Sequence, residues 1–396
     1  MSEPFPLGIN YWPARTAMRW WSEFKRDEVA RDFERIRESG CTCVRVFLLW
    51  EDFQPAIDQI SGRHVDLLRV VTQLATSMDL LLIVTLFTGH MSGANWIPGW
   101  AVRPSNGSGR FPTIVGGDIV RAQPRDWYGD EAILEAQALL AQTVAAALVD
   151  QRSVWCYDLG NENSNCWVPR DDAAGDAWLA RLAGALRSTD PERPITLGMH
   201  MEDLEENRHI GPASAARHCD FLCMHGYPMY ASWAATPDDA YLLPFLADIT
   251  RWLGQKDVLF EEFGAPTFDE SDPLPPGVPA LSEADAALFT DASLNLLRAH
   301  GTIGALVWDY SDYDRSIWRM PPLDSAPHER RFGVWHADGS PKPACDVLSA
   351  HAGQARVTTT LDNSWIDVDR AHYYDRPKEN LVTLYKRFRG TLSLER

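Results

Sequence analysis

Alternation along the chain predicts an α/β fold: a single (β/α)8 barrel with long loops after its strands and a C-terminal extension. Three observations carry this reading. Eight short apolar runs are rich in β-branched residues, patterns of helical periodicity lie between them, and nearly every run ends in a polar group. Near-continuous apolar strands separated by helices build a parallel sheet buried on both faces. Eight is the number that closes a barrel. A doubly wound open sheet is the alternative, but no Gly-x-Gly-x-x-Gly turn follows the first run.

The elements follow in order. Leu7–Tyr11 is the first strand, and Val29, Phe33 and Ile36 share one face of the helix after it. Gly40 closes that helix where a left-handed residue belongs. Thr42–Leu49 and Leu80–Phe87 are the next strands. A long connection, Thr88 to Gly129, then leads to a helix with Ile133, Ala136, Leu140 and Val144 on one face. Val154–Leu159, Pro194–Met199, Phe221–His225, Val258–Glu262 and Gly304–Asp309 complete the set, and a second long connection runs from Tyr310 to Ser340. Both connections follow strands, on the face where a barrel builds its site. Residues 1–352 make the barrel on this reading. Residues 353–396 make an extension too polar and short for a domain, expected to pack on the barrel through Trp365, Tyr373, Tyr374, Tyr385 and Phe388.

Composition narrows the function. The chain has 396 residues, 45% hydrophobic and 23% charged, with 37 Lys+Arg against 55 Asp+Glu and a net charge of -18. No basic stripe is present to track phosphates, so a nucleic-acid partner is excluded. The start shows no basic segment followed by an apolar one, and the most apolar run, Leu80–Phe87, is too short to span a bilayer. A cytoplasmic protein without a membrane partner is expected. Seven Cys show no metal-type spacing, and Cys41, Cys43, Cys219 and Cys223 sit in or beside strands, as buried reduced thiols do. One count is unusual: 16 Trp exceed 15 Phe and 11 Tyr. Twelve of these Trp follow strands, among them Trp96, Trp100 and Trp127 in the first long connection. This predicts a carbohydrate-binding face, since flat rings stack on the C–H faces of a pyranose, with about half of the twelve expected only to pack loops.

In a barrel, reactive groups stand at the C-terminal ends of strands. Those ends carry Asn10, Arg45, His90, Asn161 with Glu162, His200, His225 with Tyr227, Glu261 or Glu262, and Trp308. Two carboxylates matter most. Glu162 and Glu262 lie 100 residues apart, three βα units, so their strands face each other across the barrel mouth. Two carboxyls about 5–5.5 Å apart are the arrangement for retaining glycoside hydrolysis, one a nucleophile and one an acid/base. Proximity of like charges is expected to keep one of them protonated.

Leu159-Gly160-Asn161-Glu162 resembles the acid/base strand of glycoside hydrolase family 5 in clan A, and Phe260-Glu261-Glu262-Phe263-Gly264 resembles its nucleophile strand. The resemblance continues through Arg45 in Val44-Arg45-Val46-Phe47, through His225-Gly226-Tyr227, and through Trp308 in Leu306-Val307-Trp308-Asp309, over about residues 5–350. It implies Glu262 as nucleophile, Glu162 as acid/base and Trp308 as a sugar platform. Strand alternation agrees that only one of Glu261 and Glu262 points to the barrel axis. Arg45 and Tyr227 are expected to hold Glu262 ionised, Asn161 to meet the sugar 2-OH, and His90 and His225 to be neutral hydrogen-bond partners. Asn10 and Trp96 complete the expected substrate-binding or supporting set.

Gly8-Ile9-Asn10-Tyr11-Trp12-Pro13, Gly89-His90-Met91-Ser92 and Gly160-Asn161-Glu162-Asn163 resemble the bacterial β-mannosidase and mannanase-like branches. Two departures stand out: Asn163 replaces the usual Pro after Asn-Glu, and His90 lacks the Asp-x-His context. The implied activity is an exo-β-mannosidase acting on small oligosaccharides. An endo-β-1,4-mannanase, a β-glucosidase or an endoglucanase are alternatives within the family, and a non-catalytic sugar-binding barrel is one outside it. No metal or cofactor is expected.

Overall fold

The computed structural model describes residues 3–107, 109–268, 274, 277–358 and 363–392. Eight parallel strands form the central sheet: β1 Leu7–Asn10, β2 Cys43–Phe47, β3 Leu81–Thr85, β4 Val154–Asn161, β5 Ile195–Gly198, β6 Leu222–His225, β7 Val258–Phe263 and β8 Ala305–Val307. Their order around the sheet is β5-β4-β3-β2-β1-β8-β7-β6. Backbone bonds from Asp220 N to Ile195 O and from His225 N to Met199 O, both 2.8 Å, join β6 to the β5 segment. The sheet therefore closes into a (β/α)8 barrel, as the alternation predicted.

The period-2 alternation of side chains layers the interior. Cys43, Ile83, Cys156, Cys223, Leu259 and Leu306 pack as one dry layer. Two residues further along β2, Arg45 is fully buried and opens the polar layer under the mouth. All seven Cys are buried and free.

One helix follows each strand: α1 Arg26–Glu38, α2 Gly62–Ser77, α3 Glu131–Leu148, α4 Asp172–Arg187, α5 Pro212–His218, α6 Leu242–Gly254, α7 Glu283–Ala299 and α8 Pro343–His351. The predicted apolar faces are the buried ones, Val29, Phe33 and Ile36 in α1 and Ile133, Leu140 and Val144 in α3. Gly40 has φ +89°, the left-handed stop that ends α1's last turn.

The long connection after β3 folds into short strands of its own, pairing Ala94–Trp96 with His90–Met91 and with Thr113–Val115. The connection after β8 is built from 3-10 turns at Arg315–Ile317 and Pro327–Arg331. Beyond α8, a final helix α9, Pro377–Leu392, lies against α6 and the short helix Glu202–Glu205. Tyr373 and Tyr374 donate to Leu204 O and Asp203 O, each at 2.9 Å, and so brace the loop after β5 from behind. Residues 359–362 and 393–396 of the expected extension lie outside the described residues.

Tryptophan fills the space between loops. Trp50 meets Phe87, Trp100 and Trp127 edge-to-face, each at a centroid distance of 5.0 Å. Trp12, Trp20, Trp21, Trp50, Trp96 and Trp127 are at most 2% exposed and pack into the hydrophobic core.

Candidate active site

Glu162 terminates β4 in a left-handed conformation, φ +47° and ψ +39°. A non-glycine residue there costs about 1–2 kcal/mol, and the strand end is pinned by the bond from Glu162 N to Gly198 O at 3.0 Å. Only glycine allows this approach: a Cβ on Gly198 would lie 2.8 Å from Arg45 Nη2 and 2.9 Å from Gly160 O. The turn aims the Glu162 carboxyl across the mouth toward Glu262 on β7. Donor atoms of Glu162, Glu262 and His225 all lie within 4.8 Å of one another. That spacing is close to the about 5–5.5 Å of a retaining pair and shorter than the about 6.5–9.5 Å of an inverting one.

Arg45 organises the floor. Its Nη1 donates to Glu262 Oε1 at 2.5 Å and Asn10 Oδ1 at 3.3 Å. Its Nη2 donates to Asp158 Oδ2 at 2.7 Å and Asn161 Oδ1 at 3.0 Å, and its Nε to Thr85 Oγ1 at 2.9 Å. Tyr227 donates its hydroxyl to Glu262 Oε2 at 2.8 Å. Both oxygens of Glu262 are thus held, and the carboxylate has one orientation.

Glu261 corrects the alternation argument. It lies 3.3 Å from Arg45 Nε and 3.4 Å from His225 Nε2, so it shares the interior with Glu262. The cause is an irregular register: His225 pairs with Glu262, one step out of the register that pairs Met224 with Phe260. Such a bulge swings two successive side chains to one side of a strand. Glu261 is completely buried beneath the cavity, whereas Glu262 lines it.

His225 stands between the two carboxyls, with Nδ1 3.0 Å from Glu162 Oε1 and 3.6 Å from Glu262 Oε1. Burial pulls its pKa down, but the Glu262 charge and the bonds to Glu162 and Glu261 outweigh that and push it up to about 10. The expected neutral partner is therefore an imidazolium.

The other pKa shifts follow from the same geometry. Burial works to raise Glu162, but nearby His200 and the bond from His225 hold it below the ordinary carboxylate range. Burial raises Glu262 and the Glu162 charge adds to this, while His225, Arg45 and the Tyr227 hydroxyl restrain the rise. Arg45 and Tyr227 do pull as expected, yet desolvation wins. In the open site the order of the two carboxyls is the reverse of the one their expected roles require. His90, by contrast, is lowered by burial and fits a neutral partner, with Nδ1 2.8 Å from Asn95 Oδ1.

A cavity of about 440 Å³ opens above the pair. Of the expected residues it brings together Glu162, Glu262, His90, Asn161, His225, Tyr227 and Trp308. Asn161 donates Nδ2 to His90 O at 2.5 Å and gives Oδ1 to Arg45, which leaves one amide hydrogen for a ligand. Asn10 and Trp96 do not line the cavity, and Asn10 supports it from below by accepting from Arg45. Asn10 spends its amide on Glu261 O at 2.9 Å and Val307 O at 3.2 Å, tying β1 to β7 and β8. Trp96 donates to Met91 O at 3.2 Å inside the loop it stiffens.

The predicted tryptophan face also contracts. Trp308 is the Trp that lines the cavity, and its aromatic companions are Phe111, Tyr227, Tyr230 and Phe332. Several lining groups carry no strand-end signal, namely Arg110, Glu202 and Glu329 in loops. Asp158, which braces Arg45, lies mid-strand where a carboxylate reads as an interruption.

No family model and no curated sequence matches the chain. Solved structures do resemble it. A GH5_18 protein from Streptomyces cattleya in complex with GlcNAc aligns with a TM-score of 0.73 at 22% identity, covering 89% of this chain and 80% of that one. A variant of that protein in complex with Manb1-4GlcNAc aligns at 0.72 and 23% identity, over 88% and 80% of the two chains. An exo-beta-1,4-mannosidase from Opitutaceae bacterium strain TAV5 aligns at 0.71 and 24% identity, over 88% of this chain and 59% of that one. Likenesses at these identities establish the shared barrel fold.

Proposed function

We propose that this chain is a retaining β-glycoside hydrolase of the family 5 type that removes β-linked mannose from the ends of small oligosaccharides. One observation carries the reading: Glu162 and Glu262 present carboxylate oxygens within 4.8 Å of each other at the base of one cavity. Glu262, fixed by Arg45 and Tyr227, attacks the anomeric carbon. Glu162 protonates the departing oxygen, then deprotonates the water that releases the sugar. Glu162 must carry a proton when substrate arrives. The imidazolium Nδ1 of His225, 3.0 Å from Glu162 Oε1, is the nearest source.

The loops favour end-on action. Arg110, in the connection after β3, pairs with Glu202 beyond β5 through both guanidinium nitrogens, which bridges the mouth. Tyr230 after β6 reaches Glu329 after β8 and bridges the other side, with its hydroxyl 3.2 Å from Oε1. A mouth spanned on both flanks admits a chain end more readily than the middle of a polymer. Mannose as the sugar is supported by the fold neighbours that carry Manb1-4GlcNAc or an exo-mannosidase name. Work inside the cell on imported oligosaccharides belongs to the same proposal.

A panel of aryl β-mannosides, β-glucosides and β-xylosides, with manno-oligosaccharides followed by product analysis, tests it. Release of single β-configured mannose units supports the reading. Internal cleavage or an inverted product overturns it.

A further inference from the structure

One more carboxylate lines the cavity beside Glu162, Glu202 and Glu262 and has no part in the chemistry above. Glu329 sits in the 3-10 turn Pro327–Arg331 after β8, with its side chain only 9% exposed. Its Oε1 accepts from the Tyr230 hydroxyl at 3.2 Å and lies 3.4 Å from His328 Nε2. Its other oxygen accepts no hydrogen bond from any described residue, although the side chain borders the same cavity as Glu162, Glu262 and Trp308. The side chain is nine-tenths withdrawn from solvent, and the part that stays accessible faces the cavity, where a ligand hydroxyl can meet the free oxygen. The Tyr230 bond fixes one oxygen and leaves the other to the cavity.

We propose that Glu329 is a sugar-binding residue whose free oxygen accepts hydrogen bonds from hydroxyls of the unit seated against Trp308, selecting neutral over acidic sugars. The inference rests on the glycosidase reading and adds a specificity element to it. The chemistry is direct. A carboxylate takes hydroxyl donors, and Glu329 adds negative charge to a cavity already lined by Glu162, Glu202 and Glu262, which opposes a uronic acid. Sequence gave no warning, since Glu329 lies in a run of charged residues, His328 to Arg331, that reads as a solvated loop.

The test measures kcat/KM of wild type and Glu329→Gln on an aryl β-mannoside, on its singly deoxygenated analogues and on the matching uronide. Loss of a charged hydrogen bond predicts a drop of about ten- to a hundredfold on the parent substrate. The drop should vanish on the analogue that lacks the contacted hydroxyl, and the uronide-to-mannoside ratio should rise. A purely structural residue would lower all substrates alike, so equal losses throughout, or no loss, overturns the inference. If Glu329→Gln does not fold, Glu329→Asp carries the same comparison. A wild type inert toward every aryl glycoside overturns the glycosidase reading itself, an outcome distinct from an active enzyme indifferent to Glu329.

Discussion

Arg45 Nη1 lies 2.5 Å from Glu262 Oε1, and Arg45 is 0% exposed. The contact belongs to a larger cage in which one guanidinium also serves Asp158 and Glu261. Removing one partner of a buried ion pair leaves uncompensated charge and costs about 3–5 kcal/mol. Arg45→Met should lower stability by that order in urea denaturation and abolish turnover. Adding Asp158→Asn should restore part of the stability, and none of the activity.

Glu162 and Glu262 should fail in different ways. Glu162→Ala removes proton transfer, worth about 10²–10⁴-fold, on substrates with poor leaving groups. Aryl groups that depart without a proton should be affected far less, and azide should raise the rate. Glu262→Ala should lose turnover for every leaving group. A steady-state comparison of nitrophenyl and methyl mannosides reads the difference.

His225 makes stability depend on pH with a definite sign. Its pKa rises from an ordinary 6.5 to about 10 on folding, so the folded chain binds the proton more tightly. The stabilisation is fully present below about pH 6.5 and is lost as pH climbs through 10. Melting curves of wild type and His225→Asn should therefore lie furthest apart below about pH 6.5 and converge toward pH 10. A gap independent of pH contradicts the imidazolium.

The tryptophans divide by position. Trp50→Ala empties the junction of Phe87, Trp100 and Trp127 and should cost about 3–5 kcal/mol. Molecules that still fold should retain their KM. Trp308→Ala should spare more stability and raise KM, since this ring lines the cavity. Melting temperature and KM, measured on both variants, separate the two jobs.

The barrel was legible because its signals are local and repeated. Strands such as Thr42–Leu49 and helices such as the one bearing Val29, Phe33 and Ile36 announce themselves by period alone. Glu162 and Glu262 were legible because strand ends face the mouth. The failures have a common cause: they depend on what a neighbour does. Alternation placed Glu261 away from the axis, and a register slip against β6 brought it inward. Asn10 stands at a strand end, yet its amide is spent on Glu261 O and Val307 O. Counting Trp found the loops but not their purpose, since a ring that packs Phe87 and one that meets a sugar look alike in sequence. Charge balance around His225 draws on three strands, so no single segment shows it.

Glu262 as the attacking carboxylate is the claim on which the rest depends, and covalent trapping tests it most directly. A 2-deoxy-2-fluoro-β-mannosyl fluoride should form a glycosyl-enzyme that accumulates, and mass spectrometry of its peptides should place the sugar on Glu262. An adduct on Glu261 or Glu162, or turnover of natural substrate with inversion and no adduct, would contradict it.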